Sequence, residues 1–174
     1  MRPRQACTVP LPVGGLDAHA PTTELVDYLM TPAPDGPTTT ATNSGIEFRF
    51  TCNGKTYVSL NYHRGVPTNH KSTWSDAFCR WDEFYLFDAC DRENWSGHNN
   101  YYGIVQHAAR KVGSRGERTA IFPATQNVTD AWHGYPLMIR PSRGDVIPDS
   151  LITRWVDQGH LSFDQGERLK RGKL

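Results

Sequence analysis

The sequence predicts an α+β domain: a small antiparallel sheet nucleated by a 46–60 hairpin, packed by two or three helices and closed by a C-terminal helical pair. Three observations carry this. Alternating segments flank Asn53-Gly54, apolar residues recur at helical spacing further along, and two short capped helical patterns follow residue 147.

In the hairpin, Ile46-Glu-Phe-Arg-Phe-Thr-Cys52 and Lys55-Thr-Tyr-Val-Ser-Leu60 alternate apolar and polar residues. A two-residue turn would set Phe48 against Ser59 and Ile46 against Asn61, greasy side against polar side. A three-residue loop, Cys52-Asn53-Gly54, with Gly54 in a left-handed bulge gives the expected pairs Ile46–Leu60, Phe48–Val58 and Phe50–Thr56, with Arg49 opposite Tyr57 on the outer face. Next, Ser75-Asp76 is positioned to cap a helix bearing Phe78, Trp81, Phe84 and Tyr85, although Phe84-Tyr-Leu-Phe87 reads equally as a buried strand. Asn99-Asn100 caps an expected helix over 100–112, with Tyr101, Ile104, Val105, Ala108 and Val112 on one face and Gly113 as its stop. This helix is expected to pack on the sheet. Segments 117–122 and 136–140 read as short strands. Pro148 starts a helix with Leu151, Ile152, Trp155 and Val156 on one side, and Ser162-Phe-Asp-Gln165 is a capping box for a basic last helix.

At 174 residues the chain suits one core. Residues 46–174 are expected to form it. Residues 1–45 read as a proline-rich, partly disordered lead-in with a short helix at 23–30, because seven of twelve prolines precede residue 38 and 31–45 holds almost nothing to bury. With 37% hydrophobic and 11% aromatic residues, five of them Trp, the core should be aromatic-rich, since each ring buries about 150–250 Å². The four cysteines form no C-x-x-C pair and read as reduced, and no apolar run has the length of a secretory leader or membrane span. The expectation is a cytoplasmic protein with no membrane contact, for which Asn127-Val128-Thr129 is a coincidental sequon.

A net charge of +1 excludes a polyanion binder acting by overall charge, so an electrostatic partner must meet a local patch. Arg168, Lys170, Arg171 and Lys173 form one at the C-terminal end, where cations also complement a helix dipole. The segment Asn61–Thr73 gathers His63, Arg64, His70 and Lys71 after a strand. There His63 or His70 could exchange protons near neutral pH while Arg64 or Lys71 stabilises a developing oxyanion; a polar surface loop is the alternative. In Ala131–Pro136, Trp132, His133 and Tyr135 surround a glycine, where rings could stack on a base and His133 could read its edge, or could simply fill the core. Asp76, Asp82, Glu83, Asp88, Asp91 and Glu93 read as a solvated helix face, with a Mg²⁺ site as the alternative. Cys52, His63, His70 and Cys79 lack metal-ligand spacing, and no cofactor is implied.

His70-Lys-Ser72 and His160-Leu-Ser162 both read H-x-S, a pattern that resembles the paired motifs of two-histidine phosphodiesterases. The resemblance covers six residues. It implies two strands that each bring a His and a hydroxyl to one phosphate, whereas His160 follows a helix stop. Two functions remain as expectations. One is a binding or adaptor module for a nucleic acid, nucleotide or protein partner, using Trp132, His133 and Tyr135 with Arg168, Lys170 and Arg171. The other is a metal-independent phosphodiester hydrolase or nuclease using His63, Arg64 and His70.

Overall fold

A computed structural model describes residues 37–68, 72–105, 110–140 and 146–174. Among the described residues the fold is α+β, with two small antiparallel sheets and three α-helices. The first sheet has the order β1 (Thr38–Thr42), β2 (Gly45–Arg49), β3 (Tyr57–Leu60), and β3 runs straight into a 3₁₀ turn, Asn61–Arg64. Helix α1 (Arg80–Arg92) follows. The second sheet is β4 (Ser96–Gly97), β5 (Asn100–Ile104), β6 (Thr119–Phe122) and β7 (Tyr135–Leu137), in that order, and α2 (Asp149–Asp157) and α3 (Phe163–Lys170) end the chain. The expected helix at 23–30 lies outside the described residues. Strand β1 occupies part of the segment expected to be a loop; all five of its residues are exposed, so its ladder with β2 holds it rather than burial.

The 46–60 strands pair, but in another register. Ile46 faces Ser59, Phe48 faces Tyr57 and Gly45 faces Leu60. The connection is longer than a three-residue loop: 50–56 folds over the end of α1, with Gly54 at φ +81° donating its amide to the Thr51 carbonyl. Its residues are bound to α1 carboxylates, the Cys52 amide to Asp88 Oδ1 at 2.8 Å and the Thr51 hydroxyl to Asp91 Oδ2 at 2.6 Å. Tyr57, not Val58, therefore points inward, and Tyr57 and Phe48 are fully buried while Arg49 stays exposed.

The expected 100–112 helix is a correction. Residues 100–104 form β5, reached from β4 by a two-residue turn in which His98 and Asn99 both have positive φ (50° and 63°). This is the backbone that tight hairpins require. Tyr101, Ile104 and Val105 share a helical face but fall on both faces of a strand, and here both faces are covered: Tyr102, Ile104 and Val105 are all buried, and a Cβ at Gly103 would lie 2.8 Å from Leu86 Cγ and 3.1 Å from Cys90 Sγ of α1. The sheet is packed by α1 instead. That helix starts at Arg80, with Cys79 rather than Ser75-Asp76 as its cap, and the Phe84–Phe87 ambiguity resolves as helix. The strands expected at 117–122 and 136–140 appear as β6 and β7, and the helical pair appears as read, with the Ser162–Gln165 capping box formed and Pro148 one position earlier, at the N-cap.

The core is aromatic, as composition predicts. Phe48, Tyr57, Trp74, Phe78, Phe84, Phe87 and Phe122 meet between the sheets and α1, and Trp95 packs edge-on against Trp155 beneath α2. The two sheets are joined by a parallel bridge between Tyr57 and Trp132: Val58 N–H donates to the Trp132 carbonyl at 2.7 Å and Trp132 N–H to the Thr56 carbonyl at 2.8 Å. Cys52, Cys79 and Cys90 are free thiols.

Candidate ring site at the junction of the sheets

The Tyr57–Trp132 bridge places the segment after Trp132 alongside the turn after β3. His63, in that turn, and His133 and Tyr135, from the other sheet, share one face. The His63 ring lies 5.2 Å from Tyr135 at 25° and 6.4 Å from His133 at 12°, and exposed Tyr62 meets His63 edge-on at 5.0 Å. Gly134 is what lets this segment lie so close to β6: a Cβ there would fall 2.3 Å from Phe122 Cδ1. His63, His133 and Tyr135 are half-buried. Burial lowers the His133 pKa below its ordinary 6.5, so its imidazole is neutral at neutral pH, with one donor and one acceptor. The His63 Nδ1 lies 3.1 Å from the Ser72 carbonyl, and the His63 carbonyl accepts from Trp74 N–H at 2.9 Å.

Two regions singled out separately in the sequence thus meet. Trp132 does not join them: its indole packs on Phe87 at 5.6 Å and Tyr101 at 5.1 Å. Arg64 turns inward, where it pairs with Glu83 of α1 and donates to the Phe78 carbonyl at 2.6 Å. His70 and Lys71 lie outside the described residues. His160 sits between α2 and α3 with its ring edge-on to buried Trp95 at 4.8 Å, and no strand carries it.

The acidic run is not a solvated face, which is a second correction. Glu83 and Asp91 are fully buried side chains, and Asp82 and Asp88 bind backbone amides at the ends of α1. Glu83 Oε2 accepts from the Tyr57 hydroxyl at 2.8 Å. Burial pushes the Glu83 carboxyl above its usual range despite the opposing pull of Arg64, Tyr57 and Ser59. Glu83 carries a role that sequence reasoning missed, although a signal existed. Arg80, Glu83, Phe84 and Phe87 fall at i, i+3, i+4 and i+7, so a carboxylate stands on the apolar stripe and requires a buried partner.

Among the described residues, no group of three or more His, Cys, Asp or Glu side chains is placed to hold a metal ion, and no helix is long and apolar enough to cross a membrane. At the C-terminal end, Lys170 and Arg171 both pair with Glu167, at 2.8 and 3.9 Å, and Arg168 donates to the Lys173 carbonyl. The patch is a local mixed-charge surface of exposed and half-exposed side chains on α3. Comparison with family models, with curated proteins and with solved structures finds no match to this chain.

Proposed function

We propose that the protein is a binding module that receives the base of a nucleotide or single-stranded nucleic acid on the His63–His133–Tyr135 face, with the cations of α3 drawing in the phosphate chain. The ring arrangement carries this reading. Two rings lie near-parallel to His63 on a half-buried surface, a neutral imidazole supplies a donor and an acceptor for a base edge, and exposed Tyr62 adds a further π-face. Stacking on such platforms is worth about 1–3 kcal/mol per base, or about 5–150-fold in affinity. The test is fluorescence anisotropy with a labelled oligoadenylate. Tyr135→Ala and His133→Ala should each weaken binding within that range, and unchanged affinity in both would remove the reading. Neutralising Arg168, Lys170 and Arg171 should flatten the salt dependence by about 0.7 in logarithmic slope per lost phosphate contact.

A second reading, phosphodiester hydrolysis, draws support from the same two histidines, because a neutral His133 beside His63 could take a proton from an attacking water. Arg64, expected to supply charge to such a site, is instead turned inward onto Glu83 and the Phe78 carbonyl. Loss of turnover of bis-p-nitrophenyl phosphate in His63→Ala, with oligoadenylate affinity retained, would favour it.

A further inference from the structure

We infer that one face of α1, formed by Arg80 and Glu83, is a two-point clamp that sets the orientation of His63; this rests on the ring face being the binding site. The clamp grips the 61–64 turn at both ends. Before the turn, Arg80 Nη1 donates to the Ser59 carbonyl at 2.7 Å and the Ser59 hydroxyl at 3.0 Å, and Nη2 donates to Asn61 Oδ1 at 2.7 Å. After it, Arg64 inserts its guanidinium into the interior and pairs with Glu83, which the Tyr57 hydroxyl holds from the other side. Arg80 and Glu83 are three residues apart, so one helical face makes both contacts. The charges are reciprocal: the helix lends a cation to the start of the turn and a carboxylate to its end.

His63 lies between these anchors and is the turn's departure from helical geometry, at φ −93° and ψ 15°. Its ring direction is set by where the flanking residues are pinned, together with its Nδ1 contact to the Ser72 carbonyl and its packing on Tyr62, His133 and Tyr135. Arg80, Arg64 and Glu83 are accordingly positioning residues, engaged with one another's elements rather than with the ring face, that hold one wall of the site steady while the bridge at Trp132 holds the other.

The test separates the clamp from the fold and from the binding reading. Arg64→Met/Glu83→Leu replaces the buried pair with apolar side chains; it strands no charge but leaves the Tyr57 hydroxyl without its Glu83 acceptor, so its urea midpoint should fall by less than that of Glu83→Ala. In the folded double variant the clamp requires two results: a displaced His63 imidazole resonance as its ring leaves the Tyr135 face, and oligoadenylate affinity about tenfold weaker. Arg80→Met, at a half-exposed position, removes only the first grip and should displace the same resonance by less. A His63 resonance that stays in place in both variants overturns the clamp. Should the double variant fail to fold, Arg80→Met decides alone. Should the wild type bind no oligoadenylate, the base-binding reading fails while the His63 resonance still decides the clamp.

Discussion

Helix α1 carries two fully buried carboxylates, Glu83 and Asp91, and the protein treats them differently. Glu83 lies in the dry centre. Its cation, Arg64, is itself only 15% exposed, and its donors Tyr57 and Ser59 are fully buried. Asp91 lies at the end of the helix with an outlet to water, because Lys55 remains 30% exposed and Tyr101 is half-buried. Thr51, Lys55 and Tyr101 all donate to Asp91, and Asn53 donates to its carbonyl at 3.0 Å. Burial works against the Lys55 ammonium, yet the bonds to Asp91 and Tyr101 hold its pKa above the usual value. One carboxylate orders a loop over the surface. The other anchors a turn through the interior, where desolvation is severe enough to raise its own pKa.

The contrast breaks most visibly in truncations. Glu83→Ala strands a buried guanidinium and a buried phenol, and should cost about 3–5 kcal/mol in urea unfolding. Asp91→Ala should cost less, about 1.5–3 kcal/mol, because Lys55 can turn to solvent and only charge-assisted hydrogen bonds are lost. Equal losses would mean that the outlet at Lys55 does not matter.

The pH dependence sharpens the comparison. The folded-state pKa of Glu83 is raised above the ordinary 4.5, so its contribution to stability is fully present below that value and declines as pH rises through the folded pKa. Glu83→Gln should remove this decline from a plot of urea midpoint against pH. His133 has the opposite sign. Its lowered pKa gives a contribution present above 6.5 and lost as pH falls through the folded value, and His133→Phe should flatten that acid limb. The smallest effect belongs to the exposed pairs of α3. Lys170→Gln with Arg171→Gln should leave the unfolding midpoint unchanged, so that any loss of oligoadenylate affinity reports on binding alone.

Much of the scaffold was legible in the sequence. The strands around Asn53-Gly54, the aromatic core and the capped C-terminal pair follow from local chemistry: alternation, ring content, and Ser162 with Gln165 three residues on. Register was not legible, because alternation leaves it to the turn, and here the turn is replaced by a seven-residue connection whose length is fixed by Asp88 and Asp91 on a distant helix. The 100–104 strand shows no alternation because both of its faces are buried, so Tyr101, Ile104 and Val105 mimic a helical stripe, while the deciding contacts, Leu86 and Cys90 against Gly103, are tertiary. For the site, His63 and His133 each stood out by type. Their meeting depends on the Tyr57–Trp132 bridge, which no local pattern encodes. The inward turn of Arg64 was foreshadowed only by the misplaced charge of Glu83.

That bridge has a thermodynamic corollary. Its two main-chain hydrogen bonds tie the strand that leads into the His63 turn to the segment that carries His133, so the two rings reach a common surface from separate parts of the fold. Under the proposed base binding, a molecule resting across those rings would span the seam as a removable cross-link, so that at saturating concentrations the melting temperature should rise with the logarithm of its concentration. The amides of Val58 and Trp132, which exchange with solvent only when the seam opens, are where that tightening would register first.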